Sequence, residues 1–126
     1  MIGLTDLDGR SAADLVHRRM TTLPATATVG ELRAYFAQSE SHHLALLVDG
    51  ERYVGSLAPE DLPEDDAARA ADFARPGPTI HASAPAAEAR DAALADPSAR
   101  VPVIDAAGAL VGVVAINDRR DGFCGT

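Results

Sequence analysis

Asp61 and Asp118 occupy equivalent places in two similar stretches, each six positions after a glycine, Gly55 or Gly112. The stretches read Tyr53-Val-Gly-Ser-Leu-Ala58-Pro-Glu-Asp61 and Leu110-Val-Gly-Val-Val-Ala115-Ile-Asn-Asp118. An ionised carboxylate only accepts hydrogen bonds, and at the start of a helix it caps free backbone N–H groups. Other chemistry is sparse. His42 and His43 are neighbours, and on an extended strand they point to opposite faces, so they cannot chelate one ion without a turn. His17 and His81 are isolated, although His81 lies near Thr79 and could bring a pH-sensitive charge there. Asp65 and Asp66 are adjacent acids that lack the opposed environments acid–base catalysis needs. Cys124 is the single cysteine, with no activating neighbour in sequence. There is no nucleophile elbow, no phosphate loop of the Gly-x-x-x-x-Gly-Lys type and no paired histidines at helical spacing. No enzyme activity is expected.

The two aspartates coincide because the chain is written twice. A shift of 57 positions lays Thr22-Leu-Pro-Ala-Thr-Ala-Thr-Val-Gly-Glu-Leu-Arg33 onto Thr79-Ile-His-Ala-Ser-Ala-Pro-Ala-Ala-Glu-Ala-Arg90 without a gap. Two copies imply a pseudo-two-fold arrangement, with any binding cleft at or near their junction. At 126 residues the chain fits one domain, in which each copy is too short to bury much core alone. A net charge of -8 sets up no attractive field for a phosphate backbone or an anionic lipid surface, so neither nucleic acid nor membrane is an expected partner. A lone cysteine rules out an internal disulfide, and no apolar run approaches the roughly 20 residues that span a bilayer. The N-terminus lacks the basic start and apolar stretch of a signal peptide, and a cytoplasmic location is expected.

The elements that must place the aspartates follow from local patterns. Ser11–His17 reads as a short lead-in helix. Thr28-Val-Gly-Glu31 is a capping box, and Val29, Leu32 and Phe36 follow at helical spacing. Leu44–Val48 and Tyr53–Leu57 flank a turn and predict a hairpin, with a short helix from Pro59. The second copy repeats this as a helix over Ala86–Ala95, strands Arg100–Ile104 and Ala109–Ile116, and a helix from Asn117 or Asp118. Between the copies, Pro59–Asp66 reads as a solvated acidic linker and Ala67–Arg75 as helical. The alanines of the second copy's main helix predict a less well packed half. Leu44, Leu46, Val48, Val101, Val103, Val111 and Val113 are the expected inward-facing strand residues.

Residues 9 to 122 resemble a tandem CBS-domain pair, or Bateman module. The opening strand-to-helix segments at Thr22 and Thr79, the strand Arg100-Val-Pro-Val-Ile-Asp105, and Gly112-Val-Val-Ala-Ile-Asn-Asp118 carry the likeness through their order and duplication. The resemblance implies an α/β (α+β) fold of two β-α-β-β-α repeats packed sheet to sheet about a pseudo-two-fold axis. Repeat one with its lead-in is placed at 9–63, a linker at 64–71, and repeat two at 72–122. It also implies a homodimer, and clefts that take an adenosine-containing nucleotide such as AMP, ADP or ATP.

In such a cleft Asp118 and Asp61 match the aspartate that accepts hydrogen bonds from the ribose hydroxyls. Thr79 and Thr22 match the backbone beside the ligand, and Val101 and Pro102 the apolar edge against adenine. The family's phosphate-binding hydroxyl is replaced by Ala115 and Ala58, with Arg119 and Arg120 the nearest cations to compensate. Copy one has Leu44 and Ala45 in place of Val101 and Pro102, which ranks copy two first. The function implied is a sensory module without a resident cofactor or metal, acting on a separate effector protein. The alternative is a scaffold that keeps the pair and its homodimer without a ligand.

Overall fold

The computed structural model describes residues 2–17 and 20–126, which divide into two compact units, Thr21–Gly77 and Met1–Met20 with Pro78–Thr126. Each unit is a three-stranded sheet carrying one α-helix, and the first is built around the hairpin that the sequence predicts. Strand β2 (Ala45–Asp49) pairs antiparallel with β3 (Arg52–Leu57), and β1 (Leu23–Pro24) lies parallel to β2, with Leu23 opposite Leu47. Gly50 takes φ +63° in the connecting turn, where glycine carries no Cβ penalty. Helix α1 (Val29–Ala37) starts where the Thr28 hydroxyl accepts the Glu31 N–H at 3.2 Å, as the capping box predicts. Leu32, Ala27, Ala45, Leu47, Leu57 and Ala70 form the unit's apolar core. Thr28→Ala is expected to lower stability by about 1 kcal/mol. A denaturant midpoint checks it, and the comparison is built in: Pro85, at the equivalent helix start in the other unit, makes no side-chain cap.

The second unit repeats the plan with β4 (Ile80–His81), α2 (Ala86–Ala95), β5 (Arg100–Ile104) and β6 (Leu110–Ala115). Ile80 lies parallel to Val103, and Val101 faces Val114 across the β5–β6 hairpin. Helix α2 buries only alanines, Ala86, Ala89 and Ala93. Leu7, Leu15 and Phe123, from outside the helix, join these alanines in one apolar cluster. Both hairpins carry a bulge at the same place. Pairing jumps from Leu47 opposite Gly55 to Val48 opposite Tyr53, and from Val103 opposite Gly112 to Ile104 opposite Leu110. Val111 is the extra residue of its bulge, and so is 40% exposed rather than inward-facing as expected.

The segments before the repeats are where pattern reading and structure differ most. Ser11–His17 holds one 3-10 turn, Ala12–Leu15, with the Asp14 carboxylate accepting the Ser11 N–H. Ala67–Arg75 likewise holds only a 3-10 turn, Ala70–Phe73. The reason is where its peptide groups go. The carbonyls of Asp66 and Ala68 accept the N–H groups of Gly30 and Val29, and Ala70 donates to Ala27, so these bonds run across the unit instead of along a helix. The acidic linker keeps Glu60, Glu64, Asp65 and Asp66 exposed, as expected, but is also pinned, and Arg33 adds bonds to Asp66 at 2.9 Å and to the Pro63 carbonyl at 2.6 Å. In the second unit the lead-in does the same: Ala12 donates to Ala84, Ala86 to Arg10, and His17 to Val113. Thus residues preceding the first repeat complete the second unit, and residues preceding the second repeat complete the first.

Neither closing helix is an α-helix. After β3 there is a single 3-10 turn, Pro59–Asp61. After β6 there is no helix: Arg120 adopts φ +57° and donates to the Asn117 carbonyl, while the Asn117 side chain accepts the Asp121 N–H and donates to its carboxylate. That loop turns the chain back, so that Phe123 bridges to Ile116 and Cys124 donates to Ala115. No described helix is long and apolar enough to cross a membrane.

Candidate functional site

Strand register collects the candidate residues of each copy at one end of its own sheet. In the second unit Thr79 immediately precedes β4, Val101 and Pro102 lie near the start of β5, and Ala115 ends β6 opposite Arg100. Since β4 and β5 run parallel and β6 runs the other way, these positions and Asp118 share an edge. Side-chain direction separates them. Val101 belongs to the core cluster beneath α2, and Pro102, by strand alternation, faces the opposite side of the sheet. Ala115 is 1% exposed and Thr79 is half-buried. Asp118 is exposed in the turn beyond β6 and makes no hydrogen bond or ion pair among the described residues; Arg119 and Arg120 are exposed beside it.

The first unit offers the same frame with different electrostatics. Thr22 is exposed before β1, and Ala58 is buried after β3. One carboxylate oxygen of Asp61 accepts the Ala58 N–H at 2.8 Å and also lies 3.3 Å from the Arg75 guanidinium. Capping is thus a real role for this aspartate, although Asp61 ends the turn Pro59–Asp61 and its carboxylate reaches back to the N–H of Ala58 at the start of that turn; Arg75 adds an ion pair. Arg75 is held by its own backbone, which exchanges two 2.9 Å bonds with Ser56. Close by, burial pushes the Tyr53 phenol above its ordinary value, partly offset by Ser56 and by the Arg75 charge. Ser56 lies near the phenol without meeting hydrogen-bond geometry, and the buried Tyr53 hydroxyl has no partner among the described residues.

The glycines that mark these stretches serve close approach. A Cβ on Gly55 would sit 2.9 Å from the Arg75 carbonyl oxygen, and one on Gly112 would sit 2.7 Å from the Val16 Cβ. Sequence reading missed Arg75. A second alignment, shifted by 58, sets Ala12-Ala-Asp-Leu15 on Ala70-Ala-Asp-Phe73 and so pairs His17 with Arg75; that duplication was the available signal.

Of the remaining candidates, the His42 ring stacks on Tyr35 at 4.2 Å with its Nδ1 2.7 Å from the Tyr35 carbonyl. His81 bonds Ser83. Among the described residues no group of three or more His, Cys, Asp or Glu could hold a metal ion.

The sequence matches the family model described as CBS domain twice, over residues 12–64 and 70–121. No curated protein matches it. Among solved structures it is similar to the cystathionine beta-synthase pair domain of a protein assigned as a Mg2+ transporter in Shewanella oneidensis. That match has 20% identity and TM-score 0.76, covering 86% of this chain and 66% of that one. It is similar to CBSX2 of Arabidopsis thaliana in complex with AMP, at 18% identity and TM-score 0.71, covering 85% and 90%. A third is the cytosolic domain of the Mg2+ channel MgtE in complex with ATP, at 26% identity and TM-score 0.70, covering 89% of this chain and 48% of that one. The chain therefore spans about two thirds of the first of these and about half of the third.

Proposed function

Since the chain belongs to the CBS-domain family as a tandem pair, we propose that it is a regulatory module whose second repeat binds an adenosine-containing nucleotide and which acts on a separate effector protein. One observation carries the reading: Asp118 is an exposed carboxylate without a described partner, at the strand-end edge that also holds Thr79, Pro102 and Ala115. An ionised carboxylate there can accept from both ribose hydroxyls. Arg119 and Arg120, exposed in the same turn, supply charge for a phosphate in place of the hydroxyl absent at Ala115. Related folds in complex with AMP and ATP support the ligand class. No catalytic group is assigned, and the reading includes a cytoplasmic homodimer, whose mass light scattering would check. A ligand regulates only through different affinity for two arrangements of the protein.

Thermal unfolding against AMP, ADP and ATP tests the site. A ligand at 100 times its dissociation constant adds about 2.7 kcal/mol, raising the midpoint by roughly 10 °C. The shift is expected with at least one nucleotide and is expected to vanish in Asp118→Ala. A second reading, a ligand-free scaffold, is favoured by the burial of both alanines, Ala58 at 5% and Ala115 at 1% exposed, where a hydroxyl would be needed. No shift with any nucleotide would select it.

A further inference from the structure

We infer that Arg75 is an internal competitor for Asp61, which weakens the ribose site of the first repeat relative to that of the second. The inference rests on the nucleotide reading above and deepens it. Asp61 and Asp118 are duplicates in sequence, but their surroundings differ in charge. Asp61 is already engaged, with one oxygen shared between the Ala58 N–H and the Arg75 guanidinium at 3.3 Å. Arg75 is not loosely placed. Its backbone pairs both ways with Ser56, and Gly55 leaves room for its carbonyl, so the side chain starts from a fixed point next to the carboxylate.

The equivalent residue in the second unit is His17, whose N–H likewise bonds the third strand, at Val113. Its ring packs against Gly125, where an added Cβ would sit 2.6 Å from ring atoms. The tail thus seats His17, whereas Arg75 is seated on Asp61. A ribose arriving at Asp61 must displace a guanidinium that already neutralises the carboxylate; one arriving at Asp118 displaces no described side chain.

The pair is partly solvent-exposed, 44% at Arg75 and 27% at Asp61. Exposed pairs of this kind correspond to about a two- to fivefold effect on an equilibrium. The test uses the full chain in an Asp118→Ala background, so that only the first repeat reports, with adenosine as the probe because it carries no phosphate for Arg75 to attract. Calorimetric titration is expected to show adenosine binding about two- to fivefold tighter when Arg75→Gln is added, with the melting midpoint confirming the fold. Unchanged or undetectable adenosine binding with Arg75→Gln would overturn the inference. So would weaker AMP binding without an adenosine gain, since Arg75 would then be a phosphate ligand. The nucleotide reading is judged separately, by AMP, ADP and ATP on the unsubstituted chain.

Discussion

Truncating Phe123 to alanine is expected to cost about 3–5 kcal/mol, lowering the melting midpoint by roughly 10–20 °C. Phe123 is the largest fully buried side chain, at 0% exposure, and it shares one cluster with Leu7, Leu15, Val114 and Ile116. The same cluster includes the buried alanines of α2, Ala86, Ala89 and Ala93. The Phe123 backbone is fixed independently of the ring, since its N–H donates to Ile2 and Cys124 donates to Ala115. The truncation should therefore leave a cavity rather than release the tail, which places the cost at the upper end for a site that collapses poorly. Urea denaturation checks it. A loss under about 1 kcal/mol would mean that the tail is not docked in solution.

The second large effect is expected at the paired glycines. Gly112→Ala and Gly55→Ala should each cost about 1–3 kcal/mol, by overpacking rather than by loss of conformational freedom. At Gly112 the new methyl meets the Val16 Cβ at 2.7 Å, and Val16 is tethered one residue from the bond between His17 and Val113. At Gly55 it meets the Arg75 carbonyl at 2.9 Å, in a backbone bonded both ways to Ser56. Neither neighbour is the free end of a flexible chain. If the clash is the cause, Val16→Gly combined with Gly112→Ala should cost less than the sum of the two single changes, with thermal melts of all four chains giving the coupling. Additive losses would point to the strand itself instead.

What could be read from the residues divides along the range of the interactions involved. Helix α2 and strand β5 fall within the boundaries that the sequence predicts, because an alanine-rich segment and a run of Val, Pro, Val and Ile declare themselves locally. The Thr28 cap was legible for the same reason, as a four-residue pattern. The lead-in segments were not. Ala67–Arg75 has helical composition, but its peptide groups bond to Ala27, Val29 and Ser56, partners that no local window contains. The expected helix after Asp118 failed because nothing apolar follows at helical spacing, and the Asn117 side chain closes the turn on Asp121.

At the candidate site, the duplication of Gly55 and Gly112 pointed to the bulges and close approaches. It concealed the difference between Asp61 and Asp118, which depends on Arg75 arriving from a segment outside the aligned stretch. Phe123 was missed because Asp121-Gly-Phe-Cys-Gly-Thr126 carries no period to mark its one aromatic as core.

The crossing of the lead-in segments also bears on synthesis. The unit Thr21–Gly77 has all its residues once Gly77 has left the ribosome, whereas the unit containing Leu15 waits for Phe123. At about 5–20 residues per second, the 108 positions between Leu15 and Phe123 take roughly 5–20 s to translate. Over that interval the partners of Ala12, His17 and Leu15 arrive one after another, at Ala84, Val113 and Phe123, so the unit that holds Leu15 closes after the unit Thr21–Gly77.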